Sequence, residues 1–163
     1  MDHLRRLLIA AVDERTGYQV GSDELIRMAL DALVGGVDTP ALRELAGLTR
    51  DEEPEAHELF EQIVHELGLA PSLPDPVDSW VLVRWWCQLI VSGEITPEEG
   101  GRRIWMESSE LGYPDALMSL VGDIVQLDDW PAGIDPPADF RKRIVAQARQ
   151  LLEQPWPPPA TRG

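Results

Sequence analysis

The chain has 163 residues, of which 29 are acidic and 14 are lysine or arginine, so its formal net charge at pH 7 is −15. A hydrophobic fraction of 44% excludes a disordered protein, and the length suits one compact domain with a substantial core. The excess of carboxylates disfavours nucleic acid and membrane surfaces as partners, because phosphate backbones and anionic lipids also carry negative charge.

The N-terminal segment places two arginines before the apolar run Leu7–Val12, which ends in acidic residues. The run is too short for a signal peptide and no small-residue cleavage site follows it, so the pattern predicts a helix from Asp2 to Arg15. No stretch approaches the ~20 apolar residues that cross a bilayer. The single cysteine, Cys87, cannot form an internal disulfide, so we expect a cytoplasmic protein.

Three further helices are predicted in the first half of the chain. Ser22 is the expected N-cap of a helix that stops at Gly35–Gly36, and Thr39–Pro40 begins a short helix that ends near Gly47. An amphipathic helix then follows in the sequence DEEPEAHELFEQIVHELGL. Its apolar stripe comprises Ala56, Leu59, Phe60, Ile63 and Leu67.

A stiff connector with three prolines occupies residues 71–76 and is the one internal candidate for a boundary. We predict a single helical domain over residues 1–154, with possible subdomains 1–70 and 75–154 that share a core. Residues 155–163 form a proline-rich tail that cannot continue a helix and is expected to be extended or frayed. Trp156 in this tail would either dock on the body or attract a partner.

A helix that is apolar on most of its circumference follows the connector, beginning near Asp75 or Asp78 and ending at Ser92–Gly93. Between residues 77 and 91 only four side chains are polar: Asp78, Ser79, Arg84 and Gln88. A helix of this kind must be covered on most sides, which favours a central place in a helical bundle.

Helix signals continue to the C-terminus. Thr96–Glu99 is a capping box with proline at the first helical position. Gly100–Gly101 predicts close approach of a neighbouring helix, for example one that carries a tryptophan. Two more helices are expected after Pro114 and from about Pro137 to Gln154. No alternating strand pattern is present, so the predicted fold class is all-α: a single-domain globular bundle of seven to eight helices around a central Trp-rich helix.

Arg84 and Gln88 form the polar strip of the Trp-rich helix. If the strip faces solvent, it is simply the solvent-exposed side of a helix that is otherwise buried. If it is covered, Arg84 needs a carboxylate or an indole as a partner. The candidate carboxylates are Glu94, Glu107, Glu110 and Asp123. In the covered case, a pocket for a flat or anionic ligand would be lined by Arg84, Trp85, Trp86, Gln88 and Trp105.

No catalytic residue, metal site or cofactor is predicted. His57, Glu61 and His65 have i, i+4 spacing, but the two histidines lie about 12 Å apart along a helix axis, which is too far to share one ion. Cys87 lies within an apolar run, where formation of a thiolate is disfavoured. Motifs for a serine nucleophile or a phosphate-binding glycine loop are absent from the sequence.

Acidic residues are densest around the amphipathic helix, beyond what helix capping requires: Asp51, Glu52, Glu53, Glu55, Glu58, Glu61 and Glu66. This acidic face predicts a non-catalytic interaction module for a basic protein partner, such as an inhibitor, an immunity protein or an accessory protein. The alternative is a small-molecule binder or enzyme that uses the pocket near Arg84. A structural subunit of a larger assembly is a third possibility, since the sequence does not reveal the oligomeric state.

The segment GEITPEEGGRRIW, followed by LGYPDALMSLVGDIVQLDDWP, resembles a family of small uncharacterised bacterial all-helical proteins. Those proteins read Gly-x-Ile-x-Pro-x-Glu-Gly before a basic-apolar helix, and then a helix that ends in acids near a tryptophan and a proline. The resemblance covers about the second half of the chain. It implies one helical unit from Trp80 to about Leu152 and no particular activity. The frequent Ala, Arg, Leu and Pro also indicate a GC-rich bacterial source.

Overall fold

A computed structural model describes residues 2–49, 52–69 and 78–159, apart from the side chain of Glu53. The described residues form eight helices and no strand, which confirms the all-α prediction. The helices are α1 His3–Arg15, α2 Ser22–Val34, α3 Pro40–Gly47, α4 Glu53–Glu66, α5 Ser79–Ser92, α6 Pro97–Glu110, α7 Asp115–Asp128 and α8 Ala138–Leu152. None of these helices combines the length and the apolar character that a bilayer span demands.

The chain divides into two compact units, Met1–Ser72 and Leu73–Gly163. The first unit contains α1–α4 and the second contains α5–α8. All six tryptophans belong to the second unit. The boundary falls within the predicted connector, all of which lies outside the described residues. The choice between one domain and two subdomains that share a core stays a prediction.

In the first unit, α2 packs against α3 and α4, and α1 packs against α2 and α4. The predicted apolar stripe of α4 supplies much of this core, because Ala56, Leu59, Phe60 and Ile63 are all buried. Leu67 is partly buried and packs against the same cluster. The amphipathic pattern of α4 therefore identified its core side correctly.

The predicted cap of α2 is wrong, whereas that of α3 is confirmed. Ser22 is the first residue of α2 and is buried, so its side chain turns into the protein, and Gly21 occupies the N-cap without a side-chain hydrogen bond. At α3, the Thr39 hydroxyl accepts a hydrogen bond from the Leu42 amide at 3.2 Å, and Pro40 is the first helical residue. Both positions carry a buried hydroxyl residue, so neither residue type nor burial distinguishes them, but only Thr39 is followed by a proline at the first helical position.

In the second unit, α5 packs against α6 and α8, while α7 packs against α6 and α8. The core of this unit includes Trp86, Ile104, Leu117 and Ile144, each almost fully buried. The Asp78 carboxylate caps α5 by accepting from the Trp80 amide at 2.7 Å. The capping box at the start of α6 forms as the sequence predicts.

The close approach predicted at Gly100–Gly101 is confirmed, but the neighbouring side chains are isoleucines rather than tryptophans. A Cβ on Gly100 would lie 2.5 Å from Cγ1 of Ile90 in α5, and one on Gly101 would lie 3.0 Å from Cγ1 of Ile124 in α7. Glycine at these two positions lets α6 lie directly against both neighbouring helices.

Candidate functional site

The exposed side of α4 carries the most concentrated negative charge of the first unit. Glu55, Glu58 and Glu61 are all exposed and follow one another at three-residue intervals. The sequence of α4 contains no lysine or arginine. Among the described residues, none of the ion pairs involves these three glutamates. The three glutamates therefore present a strip of charge that forms no ion pair with an arginine or lysine of the described residues.

Two other members of the predicted acidic face have structural roles. The Glu52 carboxylate accepts hydrogen bonds from the amide and the hydroxyl of Thr49, at 2.8 and 2.9 Å. The amide hydrogen bond, supported by that of the hydroxyl, holds the pKa of Glu52 below its usual value. The Glu66 carboxylate accepts from the Ala41 amide at 3.3 Å, at the N-terminus of α3. Both carboxylates still face solvent.

The remaining two members of that prediction cannot be placed. Asp51 and the side chain of Glu53 lie outside the described residues. We therefore define the α4 acidic strip by Glu55, Glu58 and Glu61 alone.

A cavity of about 410 Å³ borders this strip. Its lining is mixed, with apolar side chains, among them Phe60 and Val64, beside the charged Glu14, Arg15 and Glu61. Glu61 therefore belongs both to the acidic strip and to the edge of a hollow that apolar groups can enter.

The histidines of α4 do not form a metal site with Glu61. His57 is partly buried, and its Nδ1 lies 3.0 Å from Oε2 of Glu14, whose Oε1 accepts from the Val20 amide at 2.8 Å. His65 is exposed. No group of three or more histidine, cysteine, aspartate or glutamate side chains within the described residues is arranged to hold a metal ion.

The residues predicted to form a pocket on α5 face different directions. Arg84 and Gln88 are exposed, together with Val81, whereas Trp86 is 1% exposed. The Arg103 guanidinium lies 5.0 Å from the ring centroid of Trp86. The polar strip is thus the solvent-facing edge of a mostly buried helix.

The other two predicted pocket residues, Trp85 and Trp105, are partly buried. The ring centroids of Trp85 and Trp86 lie 4.5 Å apart. Trp86 is almost fully covered whereas Arg84 and Gln88 are exposed, and a ligand pocket lined by the whole predicted set stays a prediction.

Arg84 does contact an indole, but not one of those predicted. Its guanidinium lies 5.8 Å from the ring centroid of Trp156, in the C-terminal tail. Because Arg84 is exposed, it needs no carboxylate partner. Asp123, one of the carboxylates considered for that role, instead accepts hydrogen bonds from Arg143 and Gln147.

Cys87 is an inert position for nucleophilic chemistry. The thiol is fully buried in the core of the second unit. Burial raises the pKa of Cys87 to about 12, because the surrounding apolar side chains do not solvate a thiolate.

A groove that sequence reasoning missed lies in the second unit. It encloses a cavity of about 400 Å³, which is lined by Trp80, Leu111, Tyr113, Pro114, Asp115, Ala116 and the tail residues Pro157, Pro158 and Pro159. The only signal in the sequence was the combination of tryptophan and proline in the tail, which indicated docking without indicating where.

The described residues thus define an all-helical protein with an acidic strip on α4 and an aromatic groove that is lined in part by the chain's own prolines. No protein-family model matches the chain, no curated protein is significantly similar to it, and no solved structure matches it. The resemblance of the second half to small bacterial helical proteins stays a prediction. Function must be inferred from the chain's own residues.

Proposed function

We propose that the protein is a non-catalytic, acidic interaction module that binds a basic protein partner in the cytoplasm through the α4 acidic strip. Inhibitors, immunity proteins and accessory proteins are functional classes with this kind of surface. The observation that carries the proposal is the solvent exposure of Glu55, Glu58 and Glu61, none of which forms an ion pair with an arginine or lysine of the described residues.

The spacing of the strip supports this proposal. Glu55 and Glu61 are six residues apart, which corresponds to about 9 Å along a helix axis. This distance is close to the Debye length of ~8 Å at physiological ionic strength, so the three carboxylates act together on an approaching charge. A basic surface would therefore be steered towards α4 and bound more tightly at low salt.

The test uses the full chain as bait and a variant with Glu55→Gln, Glu58→Gln and Glu61→Gln. Basic proteins retained by the wild-type chain are identified by mass spectrometry, and their dissociation constants are then measured. We expect the triple variant to bind at least about tenfold more weakly, because electrostatic steering accounts for 10-fold or greater changes in association rate. Raising the salt from about 0.05 to about 0.5 M should weaken wild-type binding in the same way.

The matched control removes the same charge from the second unit, through Glu110→Gln, Asp135→Asn and Glu153→Gln. These three side chains are also exposed. The control should bind nearly as tightly as the wild-type chain. Binding that resists salt, or that is lost equally in both triple variants, would show that the α4 acidic strip is not the contact surface.

The second candidate is a small-molecule binder or enzyme that uses the region near Arg84, with α5 as the central Trp-rich helix of the bundle. Its support is the 400 Å³ cavity beside Trp80, one helical turn before the exposed Arg84. Tryptophan fluorescence during a metabolite screen tests it, with Arg84→Leu as the matched variant. A ligand-induced change that Arg84→Leu removes would support this candidate, and a flat response throughout the screen would reject it.

A further inference from the structure

The C-terminal tail is docked against α5 through its tryptophan. The Nε1–H of Trp156 donates a hydrogen bond to the backbone carbonyl of Trp80 at 3.0 Å. The two indoles meet edge to face, with ring centroids 5.8 Å apart, and the Arg84 guanidinium lies at the same distance from the Trp156 ring. These contacts satisfy the indole donor and cover one ring with another. Pro158, two residues further on, is buried.

The opposite wall of the groove comes from the turn between α6 and α7. Tyr113 is 49% exposed and has a φ of 57°, a left-handed conformation that residues with a Cβ rarely adopt. Its amide donates to the Ser108 carbonyl at 2.8 Å, which fixes the turn in this conformation. The phenol ring therefore stands at the edge of the groove, beside Pro114.

The tail does not fill the groove that it enters. The cavity of about 400 Å³ has Pro157–Pro159 on one side and Tyr113–Ala116 on the other. A volume of this size falls within the range of pockets that bind ligands. The groove thus combines a carbonyl that accepts a hydrogen bond from an indole N–H, two aromatic residues, and open space beside three consecutive prolines.

We propose that this groove is a docking site for a proline-rich segment of a partner protein, and that the chain's own tail is a competitor that occupies it. Aromatic-lined grooves are a recurring means of binding proline-rich segments, since proline loses little conformational entropy on binding. The chemistry of the preferred partner follows from the tail itself: a large aromatic residue followed by consecutive prolines. Asp115 on the wall also favours a basic residue close to those prolines.

A second copy of the chain is a less favourable occupant than a separate partner. The tail leaves α8 at Leu152, and α8 packs against α5, which carries the Trp80 carbonyl. Docking within one chain therefore needs a span of only a few residues, and the effective concentration of such a tethered segment is in the millimolar range. A tail from another copy would have to compete with this tether.

The test measures binding of a fluorescein-labelled peptide, Gln-Pro-Trp-Pro-Pro-Pro-Ala, which reproduces the tail sequence. Fluorescence anisotropy is followed with the full wild-type chain and with full-length Trp156→Ala, whose tail lacks its anchor. If the tail is docked in more than nine tenths of the wild-type molecules, fewer than one tenth of the grooves are free for the peptide. The Trp156→Ala variant should then bind the peptide at least about tenfold more tightly than the wild-type chain. Trp130→Ala removes an indole elsewhere in the same unit and should bind like the wild-type chain.

Two further variants separate docking from folding. Pro158→Ser alters only the tail, so it should also increase peptide affinity even if Trp156→Ala proves unstable. Adding Tyr113→Ala to either tail variant removes a half-exposed ring from the wall of the groove. This addition should abolish the increase in peptide affinity.

Three results would overturn the proposal. One is peptide binding that is equal in the wild-type chain and both tail variants, and another is the absence of binding to the tail variants up to about 1 mM peptide. The third is a concentration-dependent dimer of the wild-type chain that is absent in Trp156→Ala. Such a dimer would show that the groove is occupied by the tail of a second copy. The acidic strip takes no part in these measurements, so their outcome is independent of the proposed function.

Discussion

Replacing Gly100 by alanine sets helix propensity against packing. A methyl group would stabilise α6 by up to about 1 kcal/mol, because glycine is that much less favourable than alanine in a helix. The same methyl group would lie 2.5 Å from Cγ1 and 2.6 Å from Cδ1 of Ile90, and 2.8 Å from Cδ1 of Ile95. All three distances are far below the ~3.5–4.0 Å of favourable carbon–carbon contact.

Packing is expected to prevail over propensity at this position. Ile90 and Ile95 are both buried, and Ile90, as a β-branched residue within α5, has essentially one favourable χ1 rotamer. Overpacking of this kind costs about 1–3 kcal/mol. The three contacts below 3.0 Å place the overpacking cost in the upper half of this range, at about 2–3 kcal/mol. After subtraction of the propensity gain of about 1 kcal/mol, Gly100→Ala should lower the free energy of unfolding by about 1–2 kcal/mol.

Gly122→Ala is the matched control in the same unit. Gly122 is an exposed residue within α7, and a Cβ there would meet no atom within 4 Å. Only the propensity term then operates, so this variant should be more stable than the wild-type chain by about 0.5–1 kcal/mol.

Urea unfolding followed by tryptophan fluorescence measures both effects, because all six tryptophans and both glycines belong to the second unit. With a slope of roughly 1 kcal/mol per molar urea, the midpoint should fall by about 1–2 M in Gly100→Ala and rise by about 0.5–1 M in Gly122→Ala. A Gly100→Ala midpoint at or above that of the wild-type chain would refute the close packing of α6 on α5.

Two further predictions concern ionisable groups in the second unit. Hydrogen bonds from Arg143 hold the pKa of the Asp123 carboxyl below its usual value of 3.8. The charged carboxylate therefore stabilises the fold fully above pH 3.8, and this stabilisation is lost as the pH falls through the lowered pKa. Asp123→Asn should therefore have a lower urea midpoint at pH 7, and the difference should shrink below pH 3.8; equal midpoints at pH 7 would contradict the network. Because burial raises the pKa of Cys87 to about 12, the native thiol should resist iodoacetamide at pH 8 and react only after unfolding in urea, and rapid labelling of the folded chain would show that Cys87 is accessible.

The helices were predictable because their signals are local. Thr39 and Thr96 cap helices with hydrogen bonds to amides three residues away, and proline follows both threonines. Ser22 is a hydroxyl residue too, but no proline follows it, and it is the first residue of α2 rather than its N-cap. A hydroxyl residue alone therefore does not fix the first residue of a helix to within one position.

The contacts that connect distant segments were not predictable. Asp123 and Arg143 lie 20 residues apart on α7 and α8, and no spacing rule pairs them. Trp156 and Trp80 are separated by 76 residues. The polar strip of α5 was compatible with exposure or with burial, and only the position of Arg84 at the surface distinguishes the two.

Salt dependence distinguishes the two surfaces proposed for this protein. A partner bound at the α4 acidic strip would dissociate more readily as salt rises, since the attraction acts between exposed charges. A proline-rich partner in the Trp80–Tyr113 groove would be held mainly by ring packing and one backbone hydrogen bond, which salt screens little. A single partner can therefore be assigned to one surface by measuring its affinity at two salt concentrations. Trp156→Ala should increase affinity only for a partner that enters the groove, and neutralising Glu55, Glu58 and Glu61 should weaken only one that contacts α4.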